Sequence, residues 1–306
     1  MTSTGPFQEG LGIEQFQRER QSRQANEEAK DSEFKKRLED HSRRIERTKR
    51  AKKFERKESQ PLDLLAVGDS WFNYPFPVDY GIVSDSQLGS MGSPHPHILD
   101  LSWPGEASTT VLGLKNQKRI IPALQGPWLN GSGPDAILVS MGGDDIAGDQ
   151  FIIYIDYGGT GGVSSRFQAV LGLITACYTN LFELRDEFAP GVPIFAHCYD
   201  YALPTNIPAA PLVGPWLWPS LGFAMYNYTQ GVQIVKDMID KYYALLNGMA
   251  SVASNNFHLI DTRNTIAPDI LYPNGWANEL HPYFPGFRAL ATKFLVVLQG
   301  QFPGRI

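Results

Sequence analysis

Short apolar runs alternate with helix-length segments along most of the chain. Five runs, each bounded by polar, Gly or Pro residues, predict strands at 62–67, 98–101, 136–141, 193–197 and 257–261. The segments between them carry apolar residues at helical spacing and predict helices at 108–125, 166–189, 229–254 and 285–299. This order predicts an α/β fold: a flavodoxin-like, doubly wound sheet of about five parallel strands in a three-layer α/β/α arrangement.

The first of these runs ends on a serine. Leu62 to Val67 are largely apolar, as expected of a central parallel strand that is covered on both faces. Gly68 then allows a sharp turn, and Ser70 follows two residues later. A hydroxyl just past the carboxyl end of such a strand lies in the crevice where open α/β sheets bind ligands. Ser70 is therefore a candidate nucleophile.

The first 59 residues have a different composition. Residues 13–60 contain neither Gly nor Pro, and they are rich in Glu, Lys, Arg and Gln, which predicts a helix. Residues 1–58 carry a net charge of +4, whereas residues 59–306 carry −9. We therefore divide the chain into a charged helical or partly disordered N-terminal arm, 1–59, and a domain, 60–306. The arm has only a thin apolar stripe, too thin for a core of its own: Phe16, Phe34, Leu38, Ile45 and Phe54.

Two interpretations of the arm stay open. Charge runs are usually solvated, and a solvated helix or disordered arm is the simpler interpretation. The alternative is a docking segment for a protein partner, for self-association or for an anionic surface, because the end of the arm is strongly basic. Nucleic acid is disfavoured, since no aromatic interleaving or nucleic-acid motif accompanies the basic residues.

Two insertions, near 149–165 and 199–228, follow predicted strands and should overhang the carboxyl edge of the sheet. Their aromatic residues either form an apolar substrate wall or fill the top of the core or an oligomer interface. With the aromatic residue that follows the serine, the candidate substrate-binding residues are Trp71, Tyr154, Tyr199, Tyr201, Trp216 and Trp218.

Composition limits the partners and the compartment. The acidic domain disfavours a polyanionic substrate. Cys177 and Cys198 are the two cysteines, and they imply no disulfide framework. The chain starts without an apolar signal sequence, and its longest apolar runs are broken before about 18 residues, so we expect no membrane span. We expect a cytoplasmic protein or one exported by a route that needs no signal peptide.

A serine nucleophile needs a base, and His281 is the best-placed histidine. Of the other five, His41 lies in the arm, His197 and His258 lie inside apolar strands, and His95 and His97 flank a proline. His281 follows the last predicted strand and precedes the last helix, so it emerges at the same edge of the sheet as the serine.

Four short blocks in this order resemble the GDSL-type SGNH hydrolases, a superfamily of ester hydrolases. Each block alone is weak, whereas four in chain order at strand ends are specific. The likeness spans residues 62–299 and leaves the arm outside. The blocks are Gly68-Asp69-Ser70, Gly105, Gly142-Gly143-Asp144-Asp145 and His281-Pro282.

The resemblance implies acyl transfer to water. It makes Ser70 the nucleophile and His281 the base, and it places the backbone amides of Ser70 and Gly105 in an oxyanion hole with the side chain of Asp144. No metal or cofactor is implied, and no residues have zinc-ligand spacing. The aromatic insertions favour a partly apolar acyl or lipid ester as substrate.

Two positions depart from the family pattern. Asp144 stands where the family has an asparagine that donates to the oxyanion, and a carboxyl group donates only when it is protonated. Asn278 stands where an aspartate usually orients the histidine; its carbonyl can hold the ring, and Glu279, Asp261 or a backbone carbonyl are further candidates. The alternative to an active ester hydrolase is an impaired binding protein whose basic arm docks a partner or an anionic surface.

Overall fold

The computed structural model describes residues 6–51, 60–75, 80–131, 133–269 and 275–306. Within the first helix, the described side chains are those of residues 20–22 and 24–51. The side chain of Phe16 and the whole of residues 52–59, which include Phe54 and the end of the predicted basic stretch, lie outside the described part of the structure.

The sheet has five parallel strands in the order β2-β1-β3-β4-β5, which confirms the predicted flavodoxin-like arrangement. Each strand is bounded within about two residues of its prediction. The strands are β1 (Asp63–Gly68), β2 (His97–Asp100), β3 (Ala136–Ser140), β4 (Ile194–His197) and β5 (Phe257–Ile260).

Helices cover both faces of the sheet. Right-handed crossovers place the helices that join β2 to β3, β3 to β4 and β4 to β5 on one face, and the last helix covers the other. The predicted helix 108–125 is two helices, because the extended backbone of Gly113 (φ −66°, ψ 158°) interrupts it. The helices are α1 (Pro6–Ala51), α2 (Ser108–Val111), α3 (Leu114–Gln125), α4 (Gly143–Ile146), α5 (Phe167–Phe188), α6 (Trp218–Phe223), α7 (Tyr228–Ala250) and α8 (Phe284–Gln301).

The end of β1 requires a glycine. All six residues of β1 are buried, and Gly68 pairs with Ser140 on β3. Gly68 has φ +147°, and a Cβ atom there would lie 2.1 Å from the backbone oxygen of Ser140. No other residue fits so close to the neighbouring strand, so the turn that carries Ser70 is fixed by backbone packing.

One helix within the described ranges, α5, is long and apolar enough to cross a membrane by length and composition alone. Half of its most apolar stretch is buried in the protein. Val170, Ile174 and Tyr178 lie on that inner side and belong to the main core. This burial is typical of a helix that packs against a sheet.

Helix α1 packs along the edge of the sheet at β2, which differs from a solvated arm. Phe34 and Ile45 are buried, and the ring of Phe34 contacts Trp103 edge to face, with 5.8 Å between the ring centroids. The thin apolar stripe is sufficient here because the domain supplies the other side of the contact. The open edge of β2 is thereby covered.

Polar contacts fix the same stretch of α1. Lys30 and Glu106 form a buried ion pair, and Arg37 donates to the backbone oxygens of Asp100 and Ser102, both at 3.2 Å. One face of this stretch therefore pairs with the domain, whereas the charged residues on its other face, such as Lys36 and Arg47, are exposed.

His41 is a buried histidine in this contact. Its side chain is 3% exposed, its ring lies 4.8 Å from that of Trp128, and neither ring nitrogen has a hydrogen-bond partner among the described residues. Burial lowers the pKa of His41 to about 4, against the opposing charge of Asp63. A proton on this ring is therefore disfavoured in the folded state.

We expect the docking of α1 to weaken in acid. The folded pKa of His41 lies below its unfolded value, so the unfolded state binds the extra proton first as the pH falls from about 6.5 to 4. The wild type should lose up to about 3 kcal/mol more stability across this range than His41→Leu. Urea unfolding at pH 7 and pH 4 measures the difference. His95→Leu, at an exposed position, is the control and should behave as the wild type; equal pH slopes for all three proteins would contradict the prediction.

Candidate active site

The carboxyl ends of the strands bring the four sequence blocks together. Ser70 follows β1, Gly105 follows β2, Asp144 lies in α4 after β3, and His281 follows β5. All four residues line one pocket at this edge of the sheet. Parallel strands produce this convergence, because their carboxyl ends lie at one edge.

Ser70, His281 and Asn278 form a hydrogen-bonded chain. The Oγ of Ser70 lies 2.7 Å from Nε2 of His281, and Nδ1 of His281 lies 3.1 Å from Oδ1 of Asn278. The backbone amides of Leu280 and His281 also donate to this Oδ1, each at 3.0 Å, which identifies it as the amide oxygen. An oxygen acceptor at Nδ1 places the ring proton there and leaves Nε2 free to accept the proton of Ser70.

Aromatic rings enclose the imidazole of His281. The ring of Tyr74 lies 4.4 Å from it on one side, and Trp216 lies 5.8 Å away at a steep angle. The Nδ2 of Asn278 donates to the hydroxyl of Tyr74 at 3.0 Å. Burial lowers the pKa of His281 to about 3, so the ring is neutral at neutral pH and Nε2 carries a free electron pair.

Glu279 and Asp261, the other candidates for orienting the histidine, have different partners. The buried carboxylate of Glu279 accepts four backbone N–H groups of the second insertion: Asn206 at 3.1 Å, Trp216 at 2.5 Å, Leu217 at 2.8 Å and Trp218 at 2.9 Å. Asp261 accepts hydrogen bonds from Arg263. Glu279 thus holds the insertion against the loop that carries the histidine.

Asp144 has an unusual protonation equilibrium. Burial raises the pKa of its carboxyl to about 8, and the nearby charges of Asp69, Asp145 and Glu106 contribute. Asp144 is therefore mainly protonated at neutral pH and can donate a hydrogen bond. Its carboxyl group forms no hydrogen bond with any of the described residues, and Asp144 lines the pocket beside Ser70.

Two backbone amides beside the serine are also free. Within the described part of the chain, the N–H groups of Ser70 and Gly105 donate to no other group. Gly105 has φ +76°, a conformation that favours glycine. Together with a protonated Asp144, these amides supply three unused donors in one pocket, as an oxyanion hole requires.

A buried network around Asp69 links the turn after β1 to α4. The carboxylate of Asp69 accepts from the hydroxyls of Ser140, at 2.6 Å, and Tyr199, and from the backbone N–H of Trp71 at 2.9 Å. The hydroxyl of Tyr199 in turn accepts the N–H of Gly143 at 2.9 Å. The network holds Ser70 and Asp144 at a fixed separation.

Two pockets meet at the serine. The inner one has a volume of about 60 Å³ and is mostly apolar, with walls from α7 and both insertions. The outer one, about 310 Å³, lies between Tyr74, Gly105 and Trp216. Both are lined by Ser70, Asp144, Leu280 and His281. The inner apolar walls include Ile146, Phe151, Leu217, Val235, Met238 and Ile239.

Three of the six predicted substrate residues line these pockets: Trp71 and Tyr199 the inner one, and Trp216 the outer one. Tyr154 and Tyr201 do not, because their hydroxyls are held by the backbone oxygen of Asp145, at 3.1 Å, and the carboxylate of Asp240, at 2.7 Å. Trp218 begins α6 and also lines neither pocket.

The wall formed by α7 and the contacts of Glu279 were not predicted from the sequence. The apolar face of α7 is visible in the sequence as helical periodicity, but the same periodicity describes any helix packed on a sheet. In the described ranges, no group of three or more His, Cys, Asp and Glu residues could hold a metal ion.

The topology is that of a doubly wound α/β fold, and the four sequence blocks lie at the ends of its strands. Solved structures similar to the chain include an extracellular lipase from Streptomyces rimosus (15% identity, TM-score 0.47, 77% of this chain and 99% of that chain). Others are phospholipase A1 from Streptomyces albidoflavus (13%, 0.47, 79% and 99%) and a carbohydrate acetylesterase from Sinorhizobium meliloti (13%, 0.45, 78% and 99%). No protein-family model matches the sequence, and no curated protein matches it.

Proposed function

We propose that the protein is a serine ester hydrolase that acts on carboxylic esters through an acyl-enzyme intermediate. The observation that carries this proposal is the 2.7 Å contact between the Oγ of Ser70 and a neutral Nε2 of His281, where two pockets meet. A hydroxyl held on a free imidazole nitrogen is the arrangement that activates a serine.

The reaction follows from these groups. Nε2 of His281 takes the proton as the Oγ of Ser70 attacks the ester carbonyl, and the oxyanion accepts hydrogen bonds from the amides of Ser70 and Gly105 and from protonated Asp144. The intermediate then releases the alcohol, which receives the proton from Nε2. A water molecule, deprotonated by the same nitrogen, attacks the acyl-enzyme. The second intermediate then releases the acid as Nε2 returns the proton to the Oγ of Ser70. Asn278 keeps the ring in the required tautomer.

The two pockets assign the two halves of the substrate. The inner pocket is apolar and suits the acyl chain, whereas the larger outer pocket suits the alcohol. The acidic domain disfavours a strongly anionic ester. A partly apolar acyl or lipid ester fits both properties.

The alternative, an impaired binding protein that docks through its arm, has less support. Between residues 30 and 48 the contacts of α1 are made with its own domain, including the Lys30–Glu106 pair. The serine, the base and the free amides also form a complete set, which a binding protein would not need.

Covalent labelling tests the proposal. A fluorophosphonate probe should label the wild type and should not label Ser70→Ala, because only an activated serine reacts with it. Ser251→Ala, which changes an exposed serine, is the matched control and should label as the wild type does. Circular dichroism establishes that each variant is folded. Undiminished labelling of Ser70→Ala would refute the proposal.

A further inference from the structure

The two insertions carry exposed apolar side chains beside the inner pocket. Phe223 is 75% exposed, Met225 is 70% exposed, and the ring of Tyr157 lies 6.4 Å from that of Phe223. Ile153 and Tyr228 are also exposed. We call these five residues the apolar rim. Large exposed apolar groups that lie together indicate a surface that meets something other than water.

Hydrogen bonds join the two insertions at the apolar rim. The N–H of Gly159 in the first insertion donates to the backbone oxygen of Ala224 in the second at 2.8 Å, and the side chain of Gln230 donates to the backbone oxygen of Gly159 at 3.0 Å. Met225 has φ +66°, a left-handed conformation that is costly for a residue with a side chain. The surrounding structure therefore holds an exposed methionine in a backbone conformation that is unfavourable for methionine.

The rim and the inner pocket are opposite sides of the same segments. Phe151, which lines the pocket, lies two residues before Ile153, and Leu217, also in the pocket, directly precedes α6, which ends at Phe223. The segments that present the rim to the outside therefore also form part of the wall around Ser70.

The charge pattern decides between possible occupants. Residues 201–235 contain no charged side chain and no histidine, although 19% of the chain is charged, which corresponds to about six or seven charges in a segment of this length. Protein interfaces carry a polar rim, whereas Trp and Tyr with few charges are typical of the lipid–water boundary. The first insertion adds Asp149 and Asp156, and the exposed Arg166 that follows it pairs with Asp156. Among the described residues, the rim therefore offers an anionic surface no unpaired cation.

We propose that the apolar rim docks the protein on a neutral lipid surface, so that the ester substrate enters the inner pocket from an aggregate. This inference rests on the proposed ester hydrolysis for its purpose, but docking itself needs no reaction. Leu212, a fully exposed leucine with φ +65°, precedes Val213 of the outer pocket and is a further exposed apolar side chain of the second insertion near the site.

Vesicle flotation tests the docking apart from catalysis. Ser70→Ala should float with phosphatidylcholine vesicles, and adding Phe223→Ser and Met225→Ser should weaken this binding at least about tenfold, because two apolar side chains no longer enter the lipid. Ser70→Ala with Leu114→Ser, which changes a leucine that is 72% exposed on α3, is the matched control and should bind as its parent.

Hydrolysis separates docking from chemistry: in the catalytically intact protein, Phe223→Ser/Met225→Ser should slow hydrolysis of vesicle-borne esters and leave that of p-nitrophenyl acetate unchanged.

Several outcomes would overturn the proposal. The first is that Ser70→Ala does not float with the vesicles, and the second is that the rim variant floats as well as its parent. The third is flotation that requires phosphatidylserine in the vesicles, which would point to the basic part of α1. If the protein does not bind vesicles and sedimentation shows a dimer that the rim substitutions dissociate, the rim is a self-association surface instead. Loss of esterase activity alone would refute the proposed function and leave the vesicle result intact.

Discussion

His281→Ala should lower the turnover of a soluble ester by about 10²- to 10⁴-fold, the usual contribution of a general base. The Oγ of Ser70 would keep its proton, because the described structure offers it no acceptor other than Nε2 of His281, at 2.7 Å. The substrate pockets lose only one wall, so the loss should fall on kcat more than on KM.

The double variant sharpens this prediction. Ser70 and His281 act as one unit, so Ser70→Ala/His281→Ala should be no slower than Ser70→Ala alone. Burst and steady-state kinetics with p-nitrophenyl esters measure both losses. His95→Ala, which changes an exposed histidine, controls for the substitution itself. Losses that simply multiply in the double variant would show that the two residues act independently.

Alkaline pH should inactivate the enzyme through Asp144. Its pKa is raised to about 8 by burial, so the carboxyl group is protonated and donating below that pH and is an anion above it. Ionisation removes one oxyanion donor and adds a repelling charge, and the protonated fraction falls by about 10²-fold between pH 7 and pH 10, so kcat should fall by up to about 10²-fold over this range. The burial that lowers the pKa of His281 to about 3 leaves no matching loss between pH 7 and pH 4 from the base.

Asp144→Asn isolates this effect. An amide donates at every pH, so the alkaline loss should disappear, and turnover at pH 7 should equal or exceed that of the wild type. A kcat profile from pH 5 to pH 10 measures it, with Asp149→Asn, at an exposed neighbouring position, as the control. An alkaline loss that persists in Asp144→Asn would exclude Asp144 as the oxyanion donor.

The sequence predicted the sheet and the meeting of the blocks for one physical reason. Buried parallel strands are short apolar runs, and their carboxyl ends share one edge, so residues placed just after strands must converge there. Ser70, Gly105, Asp144 and His281 are such residues, and they line a common pocket.

Other features depend on contacts that local sequence does not encode. Whether Asn278, Glu279 or Asp261 held the histidine was open. Asn278 and Glu279 lie three and two positions before His281, Asp261 ends the predicted last strand 20 positions before it, and only packing decides among them. The pKa of Asp144 depends on its burial and on three acids elsewhere in the chain. The docking of α1 could not be predicted, since a thin apolar stripe is sufficient only when the edge of β2 receives it.

Glu279 has a consequence for the order in which the protein becomes functional. It lies between Asn278 and His281, and it holds backbone N–H groups of residues 206–218. Ser70 and its base are 211 positions apart. During synthesis from the N-terminus, the proposed nucleophile therefore emerges long before the proposed base, the residue that would orient it and the anchor of the proposed substrate wall, and these three arrive together. The nascent chain carries an inert serine until a single segment of four residues supplies all three.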